Sequence, residues 1–144
     1  MRLKLLSAAA GLAALLTAGL TAPAAQAADD VQVLASRNVT AKTSDRAPGG
    51  YMSVKVSYFA QGVDQAGDTY YRGSVRGHVE DLEGDGYCAR AQAWYDGVTY
   101  NISDAACPKG NARPAASTFD FTYRALVRVC LWKGNRVHYC SSWK

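Results

Sequence analysis

The chain has 144 residues, a length that fits one folded domain with one hydrophobic core. Its formal net charge is +4, and a charge this small does not by itself indicate a nucleic-acid-binding protein. Length and charge therefore argue against several domains and against nucleic acid as the main partner.

Residues 1–27 predict a cleavable secretory signal peptide. Arg2 and Lys4 precede an uncharged stretch, residues 5–20, built mainly from Leu, Ala and Gly, and a signal peptide needs this order of charge and apolar residues. An Ala-Gln-Ala motif that a signal peptidase accepts ends at Ala27. We therefore expect cleavage after this residue, secretion to the cell exterior and no membrane span in the rest of the chain.

A membrane anchor is the alternative interpretation of the same leader. Its apolar stretch is near the short end of the roughly 20 residues that cross a bilayer. Cleavage would leave 117 residues with 14 basic and 12 acidic side chains, so the formal charge would fall to +2. The Ala-rich composition of the leader is similar to that of exported proteins from high-GC Gram-positive bacteria, which implies a bacterial source.

The segment after the leader, residues 28–50, contains one short strand candidate and a polar stretch. Residues 31–35 have the pattern of a strand, and the chain is then polar as far as an Ala-Pro-Gly-Gly sequence. We predict a strand and a long loop here, or a partly disordered arm. The main domain is predicted at residues 51–144.

Two alternating segments open the main domain. Residues 51–59 alternate well enough for a strand. Residues 71–80 alternate more clearly, with Tyr, Gly and Val on one face and Arg, Ser, His and Glu on the other. Both segments predict half-buried strands, separated by a turn rich in Gly and Asp.

A hairpin and a loop are predicted next. Residues 87–95 alternate small or aromatic side chains with more polar ones, and the Asp96-Gly97 pair is a turn signal that leads into a short strand at residues 98–102. The following residues, 103–117, contain two prolines and a glycine and predict a long loop.

Residues 119–132 predict one continuous strand, because apolar side chains occupy its odd-numbered positions. In this interpretation Phe119, Phe121 and Tyr123 point into the core. They would fill the space opposite the small Gly and Ala residues of the third and fourth strands.

The four cysteines predict two disulfides, because an even number in an exported chain is typical of such staples. The last predicted hairpin helps to choose the pairing. A three-residue loop centred on Asn135 would pair Leu131 with Tyr139 and place Cys130 opposite Cys140. The predicted disulfides, on the outward side of the sheet, are Cys130–Cys140 and, by elimination, Cys88–Cys107.

The pattern as a whole predicts an all-β protein. About seven strands occur with no convincing amphipathic helix between them. We therefore predict a small antiparallel β-sandwich stapled by two disulfides, with an open β-barrel as the alternative.

The sequence contains no recognisable catalytic, cofactor or metal motif. It has no nucleophile turn, and His78 and His138 lack the spacing of zinc ligands. The acidic cluster at residues 80–85 is interpreted as a solvated turn, with calcium binding as the alternative. We expect a non-enzymatic protein without a cofactor.

Basic and aromatic residues share the predicted outward faces of two strands. Arg90 and Trp94 lie on one strand, and Arg124, Arg128 and Trp132 lie on another. Rings interleaved with guanidinium groups can stack on sugars or contact a protein. We predict binding of an extracellular protein or a cell-envelope polymer such as a carbohydrate; an anionic polymer or nucleic acid is a weaker alternative.

Inhibition of an extracellular hydrolase is the alternative function. The loop that carries Cys107 presents two basic side chains, Lys109 and Arg113, and a stapled loop can enter an active site without a large ordering cost. This hypothesis depends on size, export and disulfides, which small inhibitors share. A proline directly after Arg113 argues against cleavage-like recognition by a trypsin-like enzyme.

Overall fold

The computed structural model describes residues 35–44 and 47–144, so the predicted signal peptide and residues 31–34 lie outside the described part. Among the described residues no helix is long and apolar enough to cross a membrane. The described chain forms eight strands: β1 (Ala35–Lys42), β2 (Gly50–Val63), β3 (Thr69–Asp81), β4 (Cys88–Tyr95), β5 (Val98–Asn101), β6 (Ala112–Thr122), β7 (Ala125–Lys133) and β8 (Arg136–Cys140).

The strands form two antiparallel sheets of four strands each. The first sheet has the order β1-β2-β3-β6 and the second has the order β5-β4-β7-β8. Buried side chains from both sheets form one core cluster. The predicted all-β sandwich is confirmed, with eight strands because the segment predicted as a single strand at residues 119–132 forms two.

The core is built from alternate residues of the long strands. Met52, Val54 and Val56 of β2 are at most 3% exposed, whereas Lys55 between them is exposed. The inward residues of β4 are three alanines without exposed surface, and small side chains let the opposite sheet come close. Phe119 of β6 fills the space that remains and is 5% exposed.

The predicted loop after residue 35 is wrong, because residues 35–42 form an edge strand that pairs with β2 along its whole length. Val39 and Ala41 point into the core and are at most 6% exposed. Arg37 donates hydrogen bonds to the carbonyl oxygens of Ala125 (2.9 Å) and Lys144 (3.0 Å). The sequence pattern did not indicate this strand because most of its residues are polar, as is usual where the outer face of an edge strand lies in solvent.

The predictions for residues 103–132 need two corrections. The loop predicted to extend to residue 117 ends earlier, because β6 begins at Ala112 and pairs with β3. The strand predicted at residues 119–132 is interrupted at Tyr123, where the chain leaves the first sheet and enters the second. Phe121 adopts a φ of +52° at this corner and is 68% exposed. Phe121 and Tyr123 therefore lie outside the core.

Both predicted disulfides are present. Cys88 pairs with Cys107 and Cys130 pairs with Cys140. The hairpin between β7 and β8 turns through only two residues, since Lys133 pairs with Arg136, and an irregularity further along restores the predicted pairing of Leu131 with Tyr139. The predicted three-residue turn is therefore wrong, but the register at the cysteines is confirmed.

Candidate ligand-binding face

All three tryptophans of the chain belong to the outer side of the second sheet. Even-numbered residues of β4 and β7 point outward, because Ala91 and Val129 between them have no exposed surface. Trp94 and Trp132 lie on these strands, and the chain after β8 brings Trp143 over the same surface. We define the tryptophan face as Arg90, Trp94, Arg128, Trp132 and Trp143.

Two arginines of the tryptophan face stack on indole rings. The guanidinium carbon of Arg90 lies 5.0 Å from the ring centroid of Trp132, and that of Arg128 lies 4.1 Å from the ring centroid of Trp143. These distances are within the range of a cation–π interaction. All five side chains of the face are half-buried, so each is held by its neighbours and still reaches solvent.

A chain of hydrogen bonds orients Arg128 beneath Trp143. Arg128 Nε donates to Gln92 Oε1 (2.9 Å), and Gln92 Nε2 donates to Asn101 Oδ1 (2.9 Å). Gln92 is only 5% exposed, so it is a fixed support. Burial lowers the pKa of Arg128. The group stays charged, because a guanidinium is not deprotonated in proteins.

Two donors of the other stacked pair have no acceptor among the described residues. Arg90 Nε and Trp132 Nε1 are buried and make no hydrogen bond there. An unsatisfied buried donor costs on the order of 1–3 kcal/mol. Both N–H groups are covered by protein, so they do not themselves face a ligand on this surface.

Trp143 is a site residue that the sequence analysis did not select. The four residues after β8 continue along β7: Ser141 N–H donates to the Val129 carbonyl (2.9 Å), and Val127 and Lys144 exchange two backbone hydrogen bonds of 3.0 Å. The signal for this placement is the pairing of Cys140 with Cys130, because an antiparallel continuation from there leads toward Arg128.

Arg124 does not join the stacked residues. It lies in the short connection between β6 and β7 and is exposed. There it lines a groove of about 610 Å³ together with Asp68, Tyr71 and Tyr123. The structure thus places four of the five residues predicted for ligand binding on one face, namely Arg90, Trp94, Arg128 and Trp132.

Lys109 and Arg113 occupy different kinds of structure. Lys109 is exposed in a tight turn after Cys107, in which Asn111 Nδ2 donates to the Cys107 carbonyl (2.8 Å). Gly110 N–H donates to the Asp81 carbonyl (2.6 Å), which fixes the turn against β3. Arg113 lies within β6 and pairs with β3, so the two basic residues do not share one loop.

Two acids of the cluster at residues 80–85, Asp81 and Glu83, line a cavity beside the Cys88–Cys107 disulfide. The cavity has a volume of about 440 Å³. The Asp81 side chain is 1% exposed, and its Oδ1 accepts a hydrogen bond from Glu83 N–H (3.1 Å). Burial raises the pKa of Asp81. No group of three potential metal-ligating side chains occurs in the described part of the chain.

The two histidines lie in different sheets. His78 is in β3 with its ring 6.0 Å from that of Tyr51, and His138 is in β8 with its ring 5.2 Å from that of Tyr87. Each histidine therefore has an aromatic neighbour on its own side of the molecule, and the two do not share a sheet. Both are exposed strand residues.

An exposed aromatic cluster lies at the corner between β6 and β7, where the sequence predicts core residues. The rings of Tyr70 and Phe121 stack at 5.7 Å, and Tyr123 meets Tyr70 edge-on at 6.5 Å. Tyr123 also donates a hydrogen bond from its hydroxyl to Asp64 Oδ2 (2.9 Å). Alternation alone did not reveal this cluster, because its residues have the same spacing as the core residues that follow.

The tryptophan face combines flat aromatic surface, fixed positive charge and hydrogen-bond donors. Arg90, Trp132, Arg128 and Trp143 supply two stacked pairs, and Trp94 adds a third ring on the same sheet. This chemistry is suited to holding a ligand. Comparisons with protein-family models, with curated proteins and with solved structures return no match for this chain.

Proposed function

We propose that this protein is a non-enzymatic binding module that holds a cell-envelope carbohydrate on the tryptophan face. The observation that carries the proposal is the placement of all three tryptophans on the outer side of one sheet, while the core is built mainly from alanine and valine. Large aromatic side chains are normally buried in the core. Three half-buried rings on one outer face therefore favour recognition of a ligand.

A sugar ring suits this face because it is apolar on its flat sides and polar at its rim. The flat side can pack on the indole of Trp94 or Trp132. The rim hydroxyls can accept hydrogen bonds from the guanidinium groups of Arg90 and Arg128, because both side chains are half-buried and still reach solvent. Arg90 and Arg128 hold the rings of Trp132 and Trp143 in place, so these rings lose little side-chain freedom when the ligand binds.

An extracellular location supports this choice of ligand. Two disulfides persist in oxidising compartments such as the cell exterior. The predicted leader would deliver the chain there, and the polymer most abundant at a bacterial surface is carbohydrate. The proposal of secretion depends on the sequence of residues 1–27, and N-terminal sequencing of the purified protein should begin after Ala27.

Binding to soluble N-acetylglucosamine oligomers and to a linear β-glucan tests the proposal. Titration followed by tryptophan fluorescence should show saturable binding to at least one of them. Trp94→Ala and Trp132→Ala should each weaken it at least about fivefold, the effect of losing a contact worth about 1 kcal/mol. The oligomers should be recovered intact, because none of the five residues of the tryptophan face is a carboxylic acid or a nucleophile.

Phe121→Ala is the matched control, because it removes an exposed ring of β6 that stacks on Tyr70 and is not part of the tryptophan face. Its affinity should equal that of the wild type. Equal losses in all three variants, or binding to none of the carbohydrates, would contradict the proposal.

Inhibition of an extracellular hydrolase is the second candidate function. The favourable observation is that Lys109 is exposed in a turn fixed by the Cys88–Cys107 disulfide and by the Gly110 hydrogen bond to β3. A rigid basic residue can enter the specificity pocket of a protease. Inhibition of a trypsin-like protease that is lost in Lys109→Ala and retained in Trp94→Ala would favour this function over carbohydrate binding.

A further inference from the structure

The outer face of the first sheet carries a stripe of positive charge. Its basic residues are Lys42 of β1, Lys55 of β2 and Arg72 and Arg76 of β3, and all four are exposed. We call these residues the cationic face. The acidic residues on the same side are at its ends, Glu80 beside Tyr51 and Asp120 beside Arg72.

The centre of the cationic face is a pair of like charges. Lys55 lies directly opposite Arg76 across the β2–β3 ladder, and the same row continues to Asn38 in β1 and Ala116 in β6. Opposed residues in an antiparallel pair are about 4.5–5.5 Å apart, and like charges in this position are destabilising. No carboxylate of this row offsets the repulsion, so an anionic ligand would relieve it.

The charges are spaced along the sheet. Arg72 precedes Arg76 by four residues, which is about 13 Å along a strand. Lys42 lies at the other end of the stripe. It pairs with Tyr51, and Tyr51 precedes Lys55 in β2 by four residues, or about 13 Å. Including the offset between strands, the stripe is about 28 Å long. A linear polyanion can contact charges arranged in this way, whereas a single small anion can contact only one or two.

Hydroxyl side chains flank the central pair. Ser36, Ser57, Ser74 and Thr118 form one row across all four strands, and this row lies next to the row of Lys55 and Arg76. A groove of about 410 Å³ opens at the same side and is lined by Arg72, Ser74, Thr118 and the ring of Phe59. The surface therefore offers hydrogen-bonding hydroxyls beside Lys55, Arg72 and Arg76.

We propose that the cationic face binds a polyol phosphate polymer of the cell envelope, a chain of phosphodiesters joined by hydroxylated carbons. The phosphates match the spaced basic side chains, and the polyol hydroxyls match the single row of Ser36, Ser57, Ser74 and Thr118. Single-stranded nucleic acid fits less well, because aromatic stacking platforms are missing from the centre of this face in the described structure. The proposal is independent of the tryptophan face.

Binding of poly(glycerol phosphate) to the full chain tests this assignment. With four phosphate contacts on a flexible chain, the affinity should fall about 50-fold between 50 and 200 mM salt. In Lys55→Gln/Arg76→Gln the affinity should be at least about tenfold weaker, and the fall over the same salt range should be only about sevenfold. The variant should be at least as stable as the wild type, because it removes a repulsion.

Lys133→Gln/Arg136→Gln is the matched control, since it removes two positive charges from the β7–β8 turn on the other sheet. It should bind the polymer like the wild type. Equal weakening in both double variants, or absence of binding, would overturn the proposal. Equal or tighter binding of single-stranded DNA or of vesicles containing anionic phospholipid would also overturn it. Loss of polymer binding with retained carbohydrate binding would separate this site from the tryptophan face.

Discussion

Arg128 lies against Trp143, with its guanidinium carbon 4.1 Å from the ring centroid, and this contact ties the last residues of the chain to β7. The same guanidinium donates to Gln92, so one side chain links the tail, β7 and β4. Lysine keeps the charge but has neither the planar stack nor the directed Nε–H bond.

We therefore expect Arg128→Lys to lower the free energy of unfolding by about 1–2 kcal/mol. Urea unfolding at neutral pH measures this change. Arg136→Lys is the control, because Arg136 is exposed in the β7–β8 turn. An equal effect of both substitutions would show that the contact between Arg128 and Trp143 does not contribute to the free energy of unfolding.

The Cys130–Cys140 disulfide gives a second prediction. It joins residues ten positions apart, and Cys130 has no exposed surface. Replacing both cysteines by alanine should lower the free energy of unfolding by about 3 kcal/mol, mainly because the unfolded chain gains freedom. Peptide mapping of the non-reduced wild type should recover the two cysteines in one linked fragment. A link between Cys88 and Cys130 would contradict the register described above.

The pairing of these cysteines was predictable, but the turn that produces it was not. Alternation in β7 placed Cys130 and Leu131 on opposite faces, and the partner strand had to match that pattern. The structure meets the requirement with a two-residue turn and an irregularity in β8. Periodicity fixes which side chains share a face, but it does not say where an extra residue is accommodated.

The corner between β6 and β7 shows a second limit of the sequence pattern. Apolar residues continue at every second position through Phe121 and Tyr123, so the pattern predicts one strand. The chain instead changes sheets there, with Phe121 in the left-handed region. Gln61 and Asp96 accept hydrogen bonds from the backbone at this corner (3.0 and 3.3 Å), and contacts so distant in sequence leave no local signal.

For the candidate site, too, the sequence pattern predicts which side chains share a face but not which of them contact each other. Outward positions of Arg90, Trp94, Arg128 and Trp132 follow from the two-residue period, and the structure places them on one face. Their stacking and the arrival of Trp143 depend on how β7 and the tail pair. These are long-range relationships that a single strand pattern does not contain.

Gly73 is expected to tolerate no side chain. It lies in β3 opposite Phe119, and a Cβ there would overlap the Ser57 carbonyl oxygen and the Phe119 ring. Gly73→Ala should lower the free energy of unfolding by about 2–3 kcal/mol, the cost of forcing extra volume into a packed core. Gly84→Ala is the control, because open space surrounds that position. Thermal and urea unfolding should therefore separate the two variants clearly.

Asp81 predicts a pH dependence of stability. Burial raises its pKa in the folded state above the ordinary value of 3.8, so the folded protein prefers the protonated acid. The corresponding stabilisation is complete below that value and is lost as the pH rises through the folded-state pKa. Asp81→Asn cannot ionise, and its amide oxygen can still accept the Glu83 N–H bond. The variant should therefore gain stability over the wild type as the pH rises.

Urea unfolding at pH 3.5 and pH 7 measures this effect as the difference in unfolding free energy between Asp81→Asn and the wild type. The difference should be larger at pH 7. Asp64→Asn should show the opposite sign, because the Asp68 N–H bond, followed by the Tyr123 hydroxyl, lowers the pKa of Asp64. The folded state then favours the ionised acid, and the wild type loses this advantage as the pH falls. A difference that is constant with pH for Asp81→Asn would mean that the pKa of this carboxyl is the same in the folded and unfolded states.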